Sequence, residues 1–193
     1  MARIVVTNHL TLDGVMQSPG GRDEDRRDGF DRGGWAAPNT DEVMGRVLGV
    51  GMSKGGSLLL GRFTYEAFYA YWPHQTDNPY TEVLNNSQKF VASRTLGEPL
   101  PWMNSTLLHG DAADAVATLK DERDEDIVIL GSGELIRSLM ARDLIDEYLL
   151  MVHPLVLGAG RRLFPDAGPP ADLRLAEAIT TTKGVVIARY QSG

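Results

Sequence analysis

Short apolar runs alternate along the chain with segments in which apolar residues recur every three or four positions. The run Arg3–Asn8 is rich in β-branched residues and predicts a buried strand near the start of the chain. Further strands are predicted at Ser57–Leu60, Lys89–Ser93, Thr106–His109 and Asp126–Leu130. Strands that are separated by helical segments in this way indicate a mostly parallel sheet.

Five segments next to these strands have the spacing of amphipathic helices. Thr40 has the chemistry of a helix N-cap, and Asp41 and Glu42 suit the positive end of the helix dipole. The apolar residues of this first helix are Val43, Met44, Val47, Leu48 and Met52. The other helices are predicted at about Thr64–Tyr71, Thr81–Asn85 and Ala112–Lys120, and in the segment that carries Leu135, Ile136, Leu139 and Met140.

The last part of the chain contains predicted strands without helices, at Leu149–His153, Leu173–Ile179 and Val185–Tyr190. A Lys183-Gly184 turn joins the last two strands as an antiparallel hairpin. The sequence therefore predicts an α/β fold with a mostly parallel central sheet, an antiparallel C-terminal hairpin and helices on both faces. No internal repeat or linker divides the chain, so we expect one domain over residues 1–193.

Composition narrows the classes of function. A formal net charge of −7 argues against a nucleic-acid-binding surface and against a polybasic membrane contact. Because the chain has no cysteine, it has no disulfide framework, thiol nucleophile or thiolate metal site. His9, His74 and His109 lack metal-ligand spacing with carboxylates, so we expect no metal. Without a signal peptide or an apolar run of membrane length, we expect a cytoplasmic protein.

The first turn with phosphate-binding chemistry follows the predicted strand that ends at Leu130. Gly131, Ser132 and Gly133 form this turn and Glu134 opens the following helix, and all four are candidate cofactor-binding residues. Small residues let a ligand approach the backbone, and the free N–H groups of a first helical turn point at it. A pyrophosphate is the kind of group that such a turn binds.

A second turn of this kind follows Leu60. Gly61, Arg62 and Thr64 offer backbone N–H groups, a guanidinium and a hydroxyl, all of which can bind a phosphate. The alternative is that the arginine forms a surface ion pair and that the glycines only form turns. Two such turns in one small domain indicate a nucleotide cofactor.

Motifs in a fixed order give the chain a resemblance to a known family. The segments that carry it are Thr11–Gly14, Leu60–Glu66, Val91–Arg94, Gly131–Gly133 and Asp146–Gly160. In this order they resemble the three-layer dihydrofolate reductase-like fold, and most of all the stand-alone relatives of the reductase domain of the bacterial riboflavin-biosynthesis deaminase-reductase. The resemblance extends from the N-terminus to about Phe164. The zinc motif of the deaminase half is absent from this chain.

The resemblance implies NADPH as the cofactor and a homodimer as the assembly. It also implies that Ser93 and Arg94 surround the adenosine 2′-phosphate, a role that suits arginine because its planar fork pairs with phosphate oxygens. Arg94 can instead belong to a surface ion pair. Dihydrofolate reductases join two glycines by a cis peptide at the turn that corresponds to Gly131-Ser132, and whether this peptide is cis here is left open.

Three residues are candidate proton donors for a reductase. Asp13 follows the first strand, Asp41 lies at the start of the first helix, and His153 lies in a buried strand before a proline. The alternatives are a turn-forming role for Asp13, a helix-start charge for Asp41 and a hydrogen-bonded core histidine at 153. The polar loop Gln17–Gly34 is either disordered or a lid that closes over the nicotinamide.

Two functions follow from these expectations. The first is an NADPH-dependent reductase that transfers hydride to a small planar heterocycle of aminopyrimidine or pterin/folate type. The second is a non-catalytic nucleotide- or metabolite-binding module with the same fold. A usable proton source distinguishes the reductase from the binding module.

Overall fold

The computed structural model describes residues 1–53 and 55–193, and for residues 50–53 it describes the backbone alone. Its strands are β1 (Ile4–Thr11), β2 (Ser57–Gly61), β3 (Lys89–Ala92), β4 (Ser105–Leu108), β5 (Ile127–Leu130), β6 (Glu147–His153), β7 (Leu173–Thr180) and β8 (Val186–Ser192). Its α-helices are α1 (Glu42–Ser53), α2 (Arg62–Tyr71), α3 (Pro79–Asn86), α4 (Ala112–Glu122) and α5 (Gly133–Met140). Every strand and helix predicted from the sequence is present. Among the helices described, none is long and apolar enough to cross a membrane.

The eight strands form one sheet in the order β4-β3-β2-β5-β1-β6-β8-β7. All pairings from β4 to β6 are parallel, whereas β8 is antiparallel to both β6 and β7. The predicted parallel sheet with an antiparallel C-terminal hairpin is therefore confirmed. Parallel strands end at the same edge of a sheet, so the turns after β1, β2, β3 and β5 meet at this edge, which we call the carboxyl edge.

Several elements are longer than the sequence pattern predicts, and two of them, β1 and α2, border the carboxyl edge. β1 continues past Asn8 to Thr11, because its later residues pair with β6 as far as His153. α2 begins at Arg62 rather than at Thr64, directly after the last residue of β2. In both cases a residue that the sequence places in a turn, Thr11 or Arg62, belongs to the strand or helix itself.

The start of α1 corrects one prediction. Thr40 is not the N-cap, because the carboxylate of Asp41 accepts a hydrogen bond from the backbone N–H of Met44 at 3.0 Å. The helix begins at Glu42, one residue later than expected. An aspartate oxygen reaches the free N–H groups of a first turn as well as a threonine does. The side chain of Met52, predicted to face the core, lies outside the described part of α1.

On one face of the sheet, α4 and α5 cover the strands. Leu135, Ile136 and Leu139 of α5 fall on one side of the helix at a period of 3.6 residues, and all three are buried. They belong to the same apolar cluster as Val6 of β1 and Ile129 of β5. Each fully buried side chain of this size contributes about 1.5–3 kcal/mol to stability.

Two separate clusters cover the opposite face. Leu60 and Tyr65 belong to the cluster that packs α2 and α3 on β2 and β3. Met44, Met151 and Ile187 belong to the cluster that packs α1 on β6 and β8. β1 and β5 lie between these two clusters in the sheet, and their exposed face forms the floor of a cleft.

Candidate functional site

A large cleft extends from the carboxyl edge of the sheet into the space between α1 and α2. Its volume is about 1310 Å³, and Val5, Thr7, His9 and Val128 form part of its floor. Pockets for single small molecules usually measure about 300–1,000 Å³. The cleft therefore has room for a dinucleotide and a second small molecule.

The turn after β5 has an unusual backbone. Gly131 and Ser132 both have left-handed conformations, with φ of 56° and 53°. Asn8 of β1 holds this turn, because its Nδ2 donates to the carbonyl of Gly131 at 3.1 Å and its Oδ1 accepts from the N–H of Gly131 at 2.8 Å. Among the described residues the one cis peptide is Glu98–Pro99, so the peptide between Gly131 and Ser132 is trans. The trans peptide settles the question that the sequence left open.

Hydrogen bonds join this turn to the turn after β2. The backbone N–H of Ser132 donates to the hydroxyl of Thr64 at 2.9 Å. The hydroxyl of Ser132 accepts from the backbone N–H of Gly61 at 3.0 Å. The two turns predicted from the sequence are therefore one continuous surface at the carboxyl edge.

Both helices that follow these turns start without a side-chain cap. The side chain of Ser132 occupies the N-cap position of α5 but makes no capping hydrogen bond, and Gly61, at the N-cap of α2, has no side chain to do so. The first N–H groups of a helix have no partner within the helix. Two sets of backbone donors are therefore available to an anion, which fits the phosphates of a dinucleotide.

An added Cβ atom would be crowded at two glycines of the α5 turn. A Cβ atom on Gly131 would lie 2.9 Å from Oγ1 of Thr64, and one on Gly133 would lie 2.8 Å from the sulfur of Met16. Because these distances are shorter than ordinary contacts, the turn packs closely against both neighbours. The close packing explains why small residues occur here.

The predicted arginines lie in the same cleft. Arg62 and Arg94 are both exposed, and neither has an ion-pair partner among the described residues. The surface ion pairs considered as an alternative are therefore not formed. Ser93 shapes the turn beside Arg94, since its hydroxyl accepts from the N–H groups of Thr95 and Leu96 at 3.1 and 3.0 Å.

Glu134 has a partner that the sequence did not indicate. Nη1 of Arg161 lies 2.8 Å from the carboxylate of Glu134, and Nε of the same arginine donates to Asp28 at 2.9 Å. The backbone N–H of Arg161 donates to the side chain of Gln17 at 2.9 Å. Glu134 therefore helps to join α5 to the Gln17–Gly34 loop.

The Gln17–Gly34 loop packs against the body of the protein and borders the cleft. Gln17 is buried, and its side-chain amide donates to the carbonyls of Asp25 and Arg27 at 3.3 and 3.0 Å. The guanidinium of Arg27 lies 3.7 Å from the centre of the Phe63 ring in α2. The loop thus reaches from the end of β1 to the first turn of α2.

Asp13 is engaged in hydrogen bonds after β1. Its carboxylate accepts from the hydroxyl of Thr11 at 2.6 Å and from the backbone N–H groups of Leu157 and Gly158 at 3.2 and 2.8 Å. The Thr11 hydroxyl and the two N–H groups lower the pKa of Asp13 to about 2. The carboxylate is ionised at neutral pH, and these contacts support an anchoring role.

Asp41 is engaged in a similar way at the start of α1. Besides the N–H of Met44, its carboxylate accepts from the N–H and the hydroxyl of Thr182 at 2.7 and 2.6 Å. The Met44 N–H and the Thr182 hydroxyl lower the pKa of Asp41 to about 2. Asp41 therefore ties α1 to the turn between β7 and β8, and its role as an acid stays a prediction.

His153 is buried and pairs with His9, a contact that the sequence did not predict. Its Nε2 lies 2.9 Å from Nδ1 of His9, and the Trp35 ring meets it edge-on with the ring centres 5.3 Å apart. Burial lowers the pKa of each histidine to about 4, and for His9 the neighbouring His153 adds to this shift. His9 and Asn8 were missed as site residues, although both are polar residues within an apolar strand.

Comparisons with known proteins agree with this geometry. The family model described as the RibD C-terminal domain matches residues 2–187. YyaP of Bacillus subtilis (strain 168) is 28% identical over 196 residues, which cover 97% of this chain and 94% of YyaP.

Two solved structures share the fold. A pyrimidine reductase-like protein from Corynebacterium diphtheriae has a TM-score of 0.69 at 13% identity and covers 100% of this chain and 92% of its own. Dihydrofolate reductase from Enterococcus faecalis, complexed with NADP(H) and RAB-propyl, has a TM-score of 0.63 at 14% identity, over 99% of this chain and 96% of its own. The chain therefore belongs to the RibD C-terminal domain family, which is a reductase-type family, and has the dihydrofolate reductase-like α/β fold that the resemblance implied.

Proposed function

We propose that this protein is an NADPH-dependent reductase that transfers hydride to a small planar heterocycle of aminopyrimidine or pterin/folate type. The observation that carries the proposal is the paired turn at the carboxyl edge. Asn8 and Thr64 hold the Gly131-Ser132 turn in a left-handed conformation, and two uncapped helices start beside it. Such a surface offers backbone donors and positive dipole ends to a pyrophosphate.

Different groups of residues are proposed to bind different parts of NADPH. In the proposal, Gly131, Ser132, Gly133 and the start of α5 hold the pyrophosphate. Gly61, Arg62 and Thr64 add a second set of phosphate donors. Ser93 and Arg94 hold the adenosine 2′-phosphate, and Arg94 is exposed and without an ion-pair partner among the described residues. Glu134 supports α5 through Arg161.

Bound NADPH supplies the hydride. The residues of this chain bind the two ligands, exclude water and position the reacting atoms. The Gln17–Gly34 loop is the proposed lid, because it borders the cleft and contacts α2 through Arg27 and Phe63. In the proposal, the planar substrate lies over the part of the cleft floor that Thr7 and His9 form.

The first experiment is a titration of the protein with NADPH, followed by nicotinamide fluorescence. The unmodified protein is expected to saturate, and Arg94→Ala is expected to bind about 10- to 100-fold more weakly, because a hydrogen bond to a charged group contributes about 1.5–3 kcal/mol. Arg123→Ala is the matched control, since Arg123 is a partly exposed arginine just after α4 that does not line the cleft. A titration without saturation would contradict the proposal.

The second experiment measures turnover of NADPH against pterins, folates and ribosylaminopyrimidines. Oxidation of NADPH with one of these compounds supports the reductase. Saturable NADPH binding without turnover on any of them supports the non-catalytic binding module instead.

The proposal includes a homodimer formed through the C-terminal hairpin. Leu175 of β7 and Val186 of β8 are large apolar residues that are 52% and 40% exposed. A second copy that covers this hairpin would remove the apolar surface from water. Light scattering of the protein and of Leu175→Glu tests this: a dimer that the substitution converts to a monomer supports the hairpin interface.

A further inference from the structure

Two histidines beside the cleft have no place in the cofactor site. His9 lies on the floor of the cleft, in β1, and His153 is completely buried in β6. Nδ1 of His9 and Nε2 of His153 are 2.9 Å apart, a hydrogen-bond distance. The remaining nitrogen of His153, Nδ1, is buried without a hydrogen-bond partner.

The unpartnered nitrogen determines how the protons are arranged. A neutral imidazole has one N–H donor and one acceptor nitrogen. If His9 donated to His153, the proton of His153 would be on Nδ1, which would be a buried N–H donor without an acceptor. Buried N–H groups without a partner are rarer in proteins than buried acceptors without one. The favoured arrangement therefore has His153 donate from Nε2 to Nδ1 of His9.

This arrangement fixes the tautomer of His9. Since its Nδ1 accepts a hydrogen bond, the proton of the neutral ring is on Nε2. Nε2 of His9 has no partner among the described residues and is not among their buried unpaired atoms, so it is open to the cleft. Burial keeps both rings neutral at pH 7, because it lowers the pKa of each to about 4. The cleft thus receives one N–H donor from its floor.

We infer that His9 is a specificity-determining residue that donates a hydrogen bond from Nε2 to an acceptor atom, a carbonyl oxygen or an imine nitrogen, on the ring of the bound substrate. His153 is a positioning residue that fixes the tautomer of His9. The inference deepens the proposed reductase function and rests on it for the identity of the ligand as a planar heterocycle. If the ring presented an amino group at this point, that group and the Nε2–H of His9 would both be donors. Neither would have an acceptor, so the ligand would bind more weakly.

The tautomer is tested first, because it does not depend on NADPH or on any substrate. Nitrogen-15 NMR of the full-length protein at pH 7.5 distinguishes the two ring nitrogens of each of its 4 histidines. A protonated Nε2 and a bare Nδ1 are expected for His9. His153→Gln, which keeps a donor, is expected to preserve this tautomer, and His153→Leu is expected to give a mixture. A protonated Nδ1 on His9 in the unmodified protein would overturn the inference.

Ligand preference is tested next with two compounds, pterin and 2,4-diaminopteridine. Pterin carries a carbonyl group at the ring position where 2,4-diaminopteridine carries an amino group. The protein is expected to bind pterin at least 10-fold more tightly. His9→Phe is expected to abolish that preference, and His9→Gln, which keeps a donor, to retain part of it. A preference that survives in His9→Phe, or the absence of binding by both compounds, overturns the recognition role. NADPH binding in the same samples reports separately on the proposed function.

Discussion

Asn8 and Gly131 exchange two hydrogen bonds across β1 and β5, with Nδ2 donating to the glycine carbonyl at 3.1 Å and Oδ1 accepting from the glycine N–H at 2.8 Å. Asn8 is 4% exposed, so water cannot replace either bond readily. The central strand of the sheet therefore holds the turn proposed to bind the pyrophosphate.

Replacing Asn8 is expected to weaken both stability and cofactor binding. Asn8→Ala removes two buried hydrogen bonds and is expected to lower the free energy of unfolding by about 1–3 kcal/mol. Asn8→Asp keeps the acceptor for the Gly131 N–H but sets an oxygen against the Gly131 carbonyl, and is expected to be at least as destabilising. Urea unfolding and NADPH titration measure the two effects. An alanine variant with unchanged NADPH affinity would show that the turn does not depend on Asn8.

A comparison of Gly131→Ala with Gly29→Ala separates the effect of backbone strain from the effect of close contact. The φ of 56° disfavours alanine by about 1–2 kcal/mol, and its Cβ would lie 2.9 Å from the Thr64 hydroxyl oxygen. Gly29→Ala is the matched control, because Gly29 has a φ of 76° with no atom within 4 Å of the added carbon. We expect Gly131→Ala to be the more destabilising in urea unfolding and to lose NADPH binding. Equal effects of the two substitutions would contradict the close packing of this turn.

The sequence predicts the order of elements and the position of the turns proposed to bind phosphate, because both depend on local patterns. Apolar periodicity places α5, and the residues Gly131-Ser132-Gly133 mark its start. The hydrogen bond from Ser132 to Thr64 joins residues 68 positions apart. That the two turns form one surface follows from the parallel order of β2 and β5 in the sheet, which no local pattern contains.

The part of the cleft proposed to bind the substrate was harder to predict from the sequence. His9 and His153 are 144 positions apart and meet because β1 and β6 are neighbours, with Thr11 opposite His153. The sequence also indicated Asp13 as either a candidate acid or a turn-forming residue, and its carboxylate accepts hydrogen bonds from three groups in the fold. Hydrogen bonds between side chains that are far apart in the sequence leave no pattern in either local segment.

Asp41→Asn distinguishes a catalytic acid from a helix cap. Asparagine caps helices as well as aspartate does, so the bond to the Met44 N–H is expected to survive. Its amide nitrogen cannot accept from the Thr182 N–H, so a modest loss of melting temperature is expected. If Asp41 acts only as the cap of α1, turnover of NADPH is expected to be retained. Asp41→Ala removes the cap and is expected to lower the melting temperature. Loss of turnover in a stable Asp41→Asn variant would establish the predicted acid role.

Arg27 is expected to keep the proposed lid in place. Its guanidinium lies over the ring of Phe63, an interaction of about 0.5–2 kcal/mol, and also pairs with Asp25 at 2.6 Å. Arg27→Ala is expected to speed amide hydrogen exchange in the Gln17–Gly34 loop and to increase the NADPH dissociation rate several-fold. Arg26→Ala is the control, because Arg26 is an exposed neighbour whose ion pair with Asp23 lies within the loop. Equal exchange in the two variants would show that the Phe63 contact does not hold the loop.

The buried histidine pair is expected to make stability fall in mild acid. The pKa of each ring is about 4 in the folded protein, against an ordinary value of 6.5. Between these pH values the unfolded chain binds more protons than the folded one, so the free energy of unfolding decreases as pH falls from about 6.5 to about 4.

The decrease is expected to be on the order of a few kcal/mol and is measured by urea unfolding at several pH values. His153→Phe, which removes one titrating group, is expected to reduce the slope in this window. His74→Gln is the control, because His74 is exposed on the surface. Asp13 and Asp41, whose pKa values are about 2, add their own loss of stability only as the pH falls below about 4. An unchanged slope in His153→Phe would contradict the neutral, buried state of the pair.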